Sequence, residues 1–152
     1  MRAWPSLLLF IALVAIAAVA GAFFPPDAWY ANLVKPSFNP PNAVFAPAWT
    51  ILYLAMAVAA WRIHRIEGWR LPLSVWLAQL VLNAIWTPLF FGLHDAKLAL
   101  VDLVVLDALV IWTTVLFFRR DRLAGFLMLL YLGWLAFATT LNAAIVSLNP
   151  GA

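Results

Sequence analysis

Five apolar runs, at residues 4–24, 44–61, 71–91, 96–118 and 123–148, limit what this chain can become more than any other feature. A bilayer core takes about 20 apolar residues per crossing helix, and each run meets that length between flanks of charge, Pro or Gly. The apolar residues are continuous and do not alternate with polar ones, which selects helices over barrel strands. Composition closes the other routes: 67% of the 152 residues are hydrophobic and only 10% charged, too few to coat a soluble globule of this size. A mean hydropathy of +1.01 is equally far from disorder. With no cysteine there is no disulfide, thiolate metal site or Cys nucleophile. The expectation is all-α: one domain over residues 1–152, folded as a polytopic membrane bundle of five helices.

Seven of the nine basic residues, Arg2, Arg62, Arg65, Arg70, Arg119, Arg120 and Arg122, fall on one side of that topology; Lys35 and Lys97 fall on the other. Basic residues are retained in cytoplasmic connections, so in an inner membrane this bias puts the N-terminus in the cytoplasm, with the 25–43 loop and the C-terminus opposite. It also accounts for the basic pI without a nucleic-acid partner. The first run, with Arg2 ahead of it and Ala18-Val19-Ala20 within it, also fits a signal peptide cleaved before Gly21. Its continuation to Phe24 and its many small residues read better as a packed helix. Ala17 and Gly21 have the small-xxx-small spacing of close helix pairs, a weak pointer to dimerisation. Five spans without an internal repeat do not divide into the matching halves of an inverted-repeat transporter.

The loop at residues 25–43 is long for a compact domain and holds five of the ten prolines: Pro25, Pro26, Pro36, Pro40 and Pro41. Prolines restrict themselves and the residue before them, so the loop is stiff. It reads either as a lid or as an interfacial belt in which Trp29 and Tyr30 sit at headgroup depth. Within the spans, Trp49, Tyr53, Met56 and Ala60 recur at helical spacing; so do Gln79, Asn83, Trp86 and Phe90, and again Trp134, Phe137, Ala138, Leu141 and Asn142 beside Thr139 and Thr140. Amides in hydrocarbon need partners, so these stripes are expected to converge inside the bundle. They serve there either as interhelical packing or as a pocket for a flat, largely apolar ligand with a few polar handles.

Asp102 and Asp107 lie within the fourth span, about 140° apart around a helix, which argues against an acid–base pair. Asp102 is near enough to the interface for solvation; Asp107 is deeper, a proton-relay site, a ligand contact or a structural partner. Pro88 is expected to kink or open the third helix, and Pro47 falls early enough in the second to be tolerated. Phosphate-binding Gly-rich loops, HExxH and GxSxG are absent, and no catalytic or metal-ligating set emerges. His64 and His94 fall in connections, which disfavours a ligated haem but not a porphyrin held by stacking and shape.

The loop residues Trp29, Tyr30, Leu33, Lys35, Pro36, Phe38, Pro40 and Pro41, with PAWTILY at 47–53, LNAIWTPLFFG at 82–92 and WLAFATTLN at 134–142, together resemble the tryptophan-rich sensory protein or translocator protein family, also called the peripheral-type benzodiazepine receptors. The match covers the loop and three of these runs in order. The resemblance implies a five-helix homodimer that binds porphyrins such as protoporphyrin IX and haem, besides lipophilic isoquinoline or benzodiazepine ligands, with no obligatory cofactor. Carried over by position, it implies a pocket of Trp29, Trp49, Tyr53, Asn83, Trp86, Trp134, Phe137, Thr139 and Asn142, with Phe38 and Pro41 on a lid. Lys35 and Lys97 are candidates to meet a propionate at the rim. The function implied is a membrane sensor or carrier regulating tetrapyrrole metabolism; light-dependent porphyrin degradation and porphyrin transport are the alternatives. The resemblance implies an integral membrane protein of either an inner or an outer bacterial membrane. The sterol-recognition segment of animal members needs a Tyr and then a basic residue at the end of the last helix, and residues 143–148 supply neither.

Overall fold

The computed structural model describes residues 4–152. Arg2, used above for orientation, lies outside them. The helices are α1 (Trp4–Ala22), the short α2 (Ala28–Asn32), α3 (Asn42–Glu67), α4 (Leu71–Thr87), α5 (Ala96–Phe118) and α6 (Arg122–Leu148). Five segments are long and apolar enough to cross a membrane: α1, α3, α4 with its π-helical extension to Gly92, α5 and α6. The expected five-helix membrane architecture is therefore the observed one.

Local chemistry sets the ends of these helices. Asp27, Asp95 and Asp121 each sit at a helix N-cap and accept from the amides of Tyr30, Leu98 and Ala124, satisfying donors that the first turn leaves free. α3 starts before residue 44 and runs past Trp61 to Glu67, so Pro47 stands inside the helix instead of at its entry. α1 stops at Ala22, before Phe24, and α2 interrupts the expected continuous loop. Pro88 has no amide to donate, and the chain answers by opening into a π turn, Pro88–Gly92, closed by the Leu93 amide on the Pro88 carbonyl at 2.9 Å.

The long helices close into a ring in the order α1, α3, α6, α5, α4 and back to α1. Its half nearer the Arg-rich connections is solid. Ala57, Ala59 and Ala60 of α3 are fully buried there with Ile63, Trp76 and Phe117, their missing side-chain bulk allowing close approach. Across that end Arg62 pairs with Asp121 and Arg120 with Glu67, each at 2.7 Å. In the other half the α3 positions are Phe45, Trp49 and Tyr53, and the ring is hollow. The Ala17 and Gly21 spacing is used inside the chain: Ala17 is buried, and a Cβ at Gly21 would touch Thr87 Oγ1 at 3.4 Å.

Candidate functional site

The hollow half holds a cavity of about 600 Å³, walled by all five long helices and roofed by Phe24, Pro25, Pro26 and Tyr30. None of the described residues lining it is charged. Its walls are aromatic: Trp49 meets Tyr53 at 5.5 Å between ring centroids and Trp134 edge-on at 6.5 Å, while Trp86 stacks on Phe90 at 4.9 Å. Edge-on and offset arrangements of this kind are the favourable ones for π systems, so the rings brace one another around the space.

Two interhelical polar links hold the walls in register. The Tyr53 hydroxyl donates to Asn83 Oδ1 at 2.7 Å, and Asn83 Nδ2 donates to the Tyr131 hydroxyl at 2.8 Å, joining α3, α4 and α6. Trp86 Nε1 donates to Asn142 Oδ1 at 3.1 Å, and Asn142 Nδ2 to the Ala96 carbonyl at 2.9 Å, joining α4, α6 and α5. Trp134 Nε1, by contrast, is buried without an acceptor, and Trp134 lines the cavity. A buried donor in this state is a ready handle for a ligand oxygen.

The roof is fastened at both ends. Asp27 Oδ2 meets His94 Nε2 at 2.7 Å, and His94 stacks on Trp29 at 4.7 Å while holding a left-handed φ of 55°. The Tyr30 amide bond, together with His94, holds the Asp27 carboxyl below the ordinary carboxylate value. Burial pushes the Tyr30 phenol up, and Asn39 beside it pulls partly back. At the far end Asn149 closes a two-way bond with Val34, accepting from its amide at 2.9 Å and donating to its carbonyl at 2.8 Å.

Of the residues expected to form the pocket, Trp49, Tyr53, Asn83, Trp86, Trp134, Phe137 and Asn142 line this cavity together. Four do not. Thr139 is turned toward α5, where its hydroxyl meets Asp107 Oδ2 at 2.9 Å. Trp29 lies outside the wall, packed edge-on against Phe90 and stacked on His94. Phe38 is exposed and meets Phe137 edge-on at 6.3 Å between ring centroids, without lining the cavity. Pro41 borders a separate outer groove. Asp102 is buried within the bundle, with Oδ2 unpartnered. Absent from the expected pocket were Phe45, Phe91, Ala18, Gly21 and Thr87, all cavity-lining. For Phe45 the signal was available, because it precedes Trp49 by one helical turn.

Five helices long and apolar enough to cross a membrane, set around an uncharged aromatic chamber under a fastened proline-rich roof, define an integral, multi-pass membrane protein with an internal aromatic cavity. Residues 9–148 match the model of the TspO/MBR family. The chain is 42% identical over 146 residues to the tryptophan-rich sensory protein of Cereibacter sphaeroides, covering 96% of this chain and 92% of that one. It is 42% identical over 136 residues to the tryptophan-rich protein TspO of Archaeoglobus fulgidus, covering 86% and 88%. It is 40% identical over 128 residues to the human translocator protein, covering 81% and 76%. The chain belongs to the TspO/MBR family.

Proposed function

We propose that this protein is a membrane receptor for tetrapyrroles, taking protoporphyrin IX or haem into the chamber and reporting or carrying it in the regulation of tetrapyrrole metabolism. The observation that carries this reading is the chamber itself. Its volume falls within the range of small-molecule sites, its walls are flat rings, and no charge opposes an apolar macrocycle. Trp134 Nε1 supplies a free donor, and the Asn83 and Asn142 amides fix the surrounding rings. Relatives named for sensing and translocation support a receptor role. Five spans favour binding and signalling over alternating access, which is built from paired repeats.

Titration of the purified protein with protoporphyrin IX should quench tryptophan fluorescence saturably, because Trp49, Trp86 and Trp134 all line the chamber. Replacing Trp49→Phe together with Trp134→Phe should weaken binding severalfold, because each Phe keeps a ring but loses the larger indole face and, at position 134, the unpartnered Nε1 donor. Unchanged affinity in that double variant would refute the assignment of the chamber.

A further inference from the structure

A second concavity lies on the outer side of the roof, about 550 Å³ in volume and bordered by Asp27, Tyr30, Lys35, Asn39, Pro40 and their neighbours. Pro26, Tyr30 and Asn42 border both this groove and the inner chamber, so the two spaces adjoin at these three residues. The spaces differ in chemistry. The chamber has no charged side chain among the described residues that line it, whereas the groove has Asp27 and Lys35.

Those two charges are not equivalent. Asp27 is committed, with Oδ1 accepting from the Tyr30 amide and Oδ2 meeting His94. Lys35 Nζ donates to the carbonyls of Tyr30 at 2.7 Å and Leu33 at 3.3 Å and sits 4.4 Å from the centroid of the Tyr30 ring. These neutral partners orient the ammonium without cancelling its charge, and they use two of its three donors. Lys35 is not in any of the three ion pairs found among the described residues. Beside it, Asn39 Oδ1 is buried with no partner. Rotating that amide by half a turn would present a donor in place of the orphan acceptor. Lys97, the other cation on this side, donates to the Pro150 carbonyl and borders neither space.

We propose that the outer groove is a carboxylate subsite continuous with the chamber, in which Lys35 anchors an acidic arm of a ligand whose flat, uncharged body lies inside. Pro26 and Asn42 frame the crossing and Tyr30 forms its sill. The site therefore selects amphipathic acids over neutral molecules of the same shape, and it fixes their orientation with the acidic edge toward the aqueous side of the roof. This rests on the chamber binding a macrocycle as proposed above.

The test compares protoporphyrin IX with its dimethyl ester, which keeps the macrocycle and removes both charges. Affinities are read by tryptophan quenching in matched micelles. The intact protein should bind the free acid about tenfold more tightly than the ester, as a charge-assisted contact predicts, and rising salt should narrow that ratio. Lys35→Gln should weaken the acid alone and bring the ratio near one. Lys35→Arg should keep it, which separates loss of charge from damage to the loop, and Lys97→Gln should leave it unchanged. If the intact protein binds acid and ester equally, or if Lys35→Gln keeps the tenfold ratio, the subsite is overturned while the chamber stands. If neither porphyrin binds saturably, the chamber reading falls and the subsite falls with it.

Discussion

Asn83 is the node of the wall, and replacing it tests how the chamber is held open. Asn83→Leu keeps roughly the volume but removes the acceptor for Tyr53 and the donor to Tyr131. Interhelical hydrogen bonds in membrane proteins contribute about 0.6 kcal/mol each, so losing both costs about 1 kcal/mol. Tyr131 is 0% exposed, so its hydroxyl cannot turn to water, and an orphaned buried group adds up to about 2 kcal/mol. The expected loss is therefore about 1–3 kcal/mol in reversible unfolding in mixed micelles followed by circular dichroism. A double-mutant cycle isolates the contact: in a Tyr131→Phe background the same substitution should cost about 1 kcal/mol less, because no hydroxyl remains to be stranded. An identical cost in both backgrounds would refute the reasoning, since the two side chains would then be energetically independent.

Other perturbations have equally definite outcomes. A Cβ at Gly125 would stand 2.3 Å from the Phe118 ring, so Gly125→Ala should destabilise the α5–α6 end by about 1–3 kcal/mol, read as a lowered melting midpoint. Asn149→Ala should speed hydrogen exchange at the Val34 amide while leaving exchange in α4 unchanged, because only the roof loses its fastening. Asp121 is raised by burial but lowered further by Arg62 and the Ala124 amide, leaving its carboxyl below the ordinary 3.8. A depressed carboxyl contributes stability that is complete above its unfolded value and lost as pH falls through the folded one. The melting difference between the intact protein and Asp121→Asn should thus be constant from pH 5 to 7 and shrink below about pH 4; a difference that persists at pH 2 would exclude the charged pair as its cause.

The sequence carried the spans because charge is intolerable in hydrocarbon, and the same fact explains where their limits failed. Charge ends a membrane span but not a helix, so α3 continues through Arg62, His64 and Arg65 to Glu67. The convergence of Asn83, Trp86 and Asn142 was legible because an amide in lipid has to find a partner. Thr139 was misplaced for a geometric reason: a helix turns about 100° per residue, and two steps beyond Phe137 carry the side chain toward Asp107 on α5. The partnership of Asp27 and Trp29 with His94 joins residues far apart in the chain and leaves no local pattern to read. The share of Ala18 and Gly21 in the wall was equally hidden, since small residues carry the same signal whether they meet another helix or a cavity.

The solid half and the hollow half of the ring belong to the same helices, and that division limits how the protein can move. Ala57, Ala59 and Ala60 lock α3 at the Arg-rich end, so the helices cannot translate apart there. Any widening of the chamber must be angular, with that end as the hinge and the opposite tips travelling furthest. The roof crosses those tips, fastened to His94 beyond α4 and to Asn149 at the end of α6. It therefore acts as a belt as well as a cover: the length of chain between Asp27 and Val34 sets the largest girth the bundle can reach before a buckle opens.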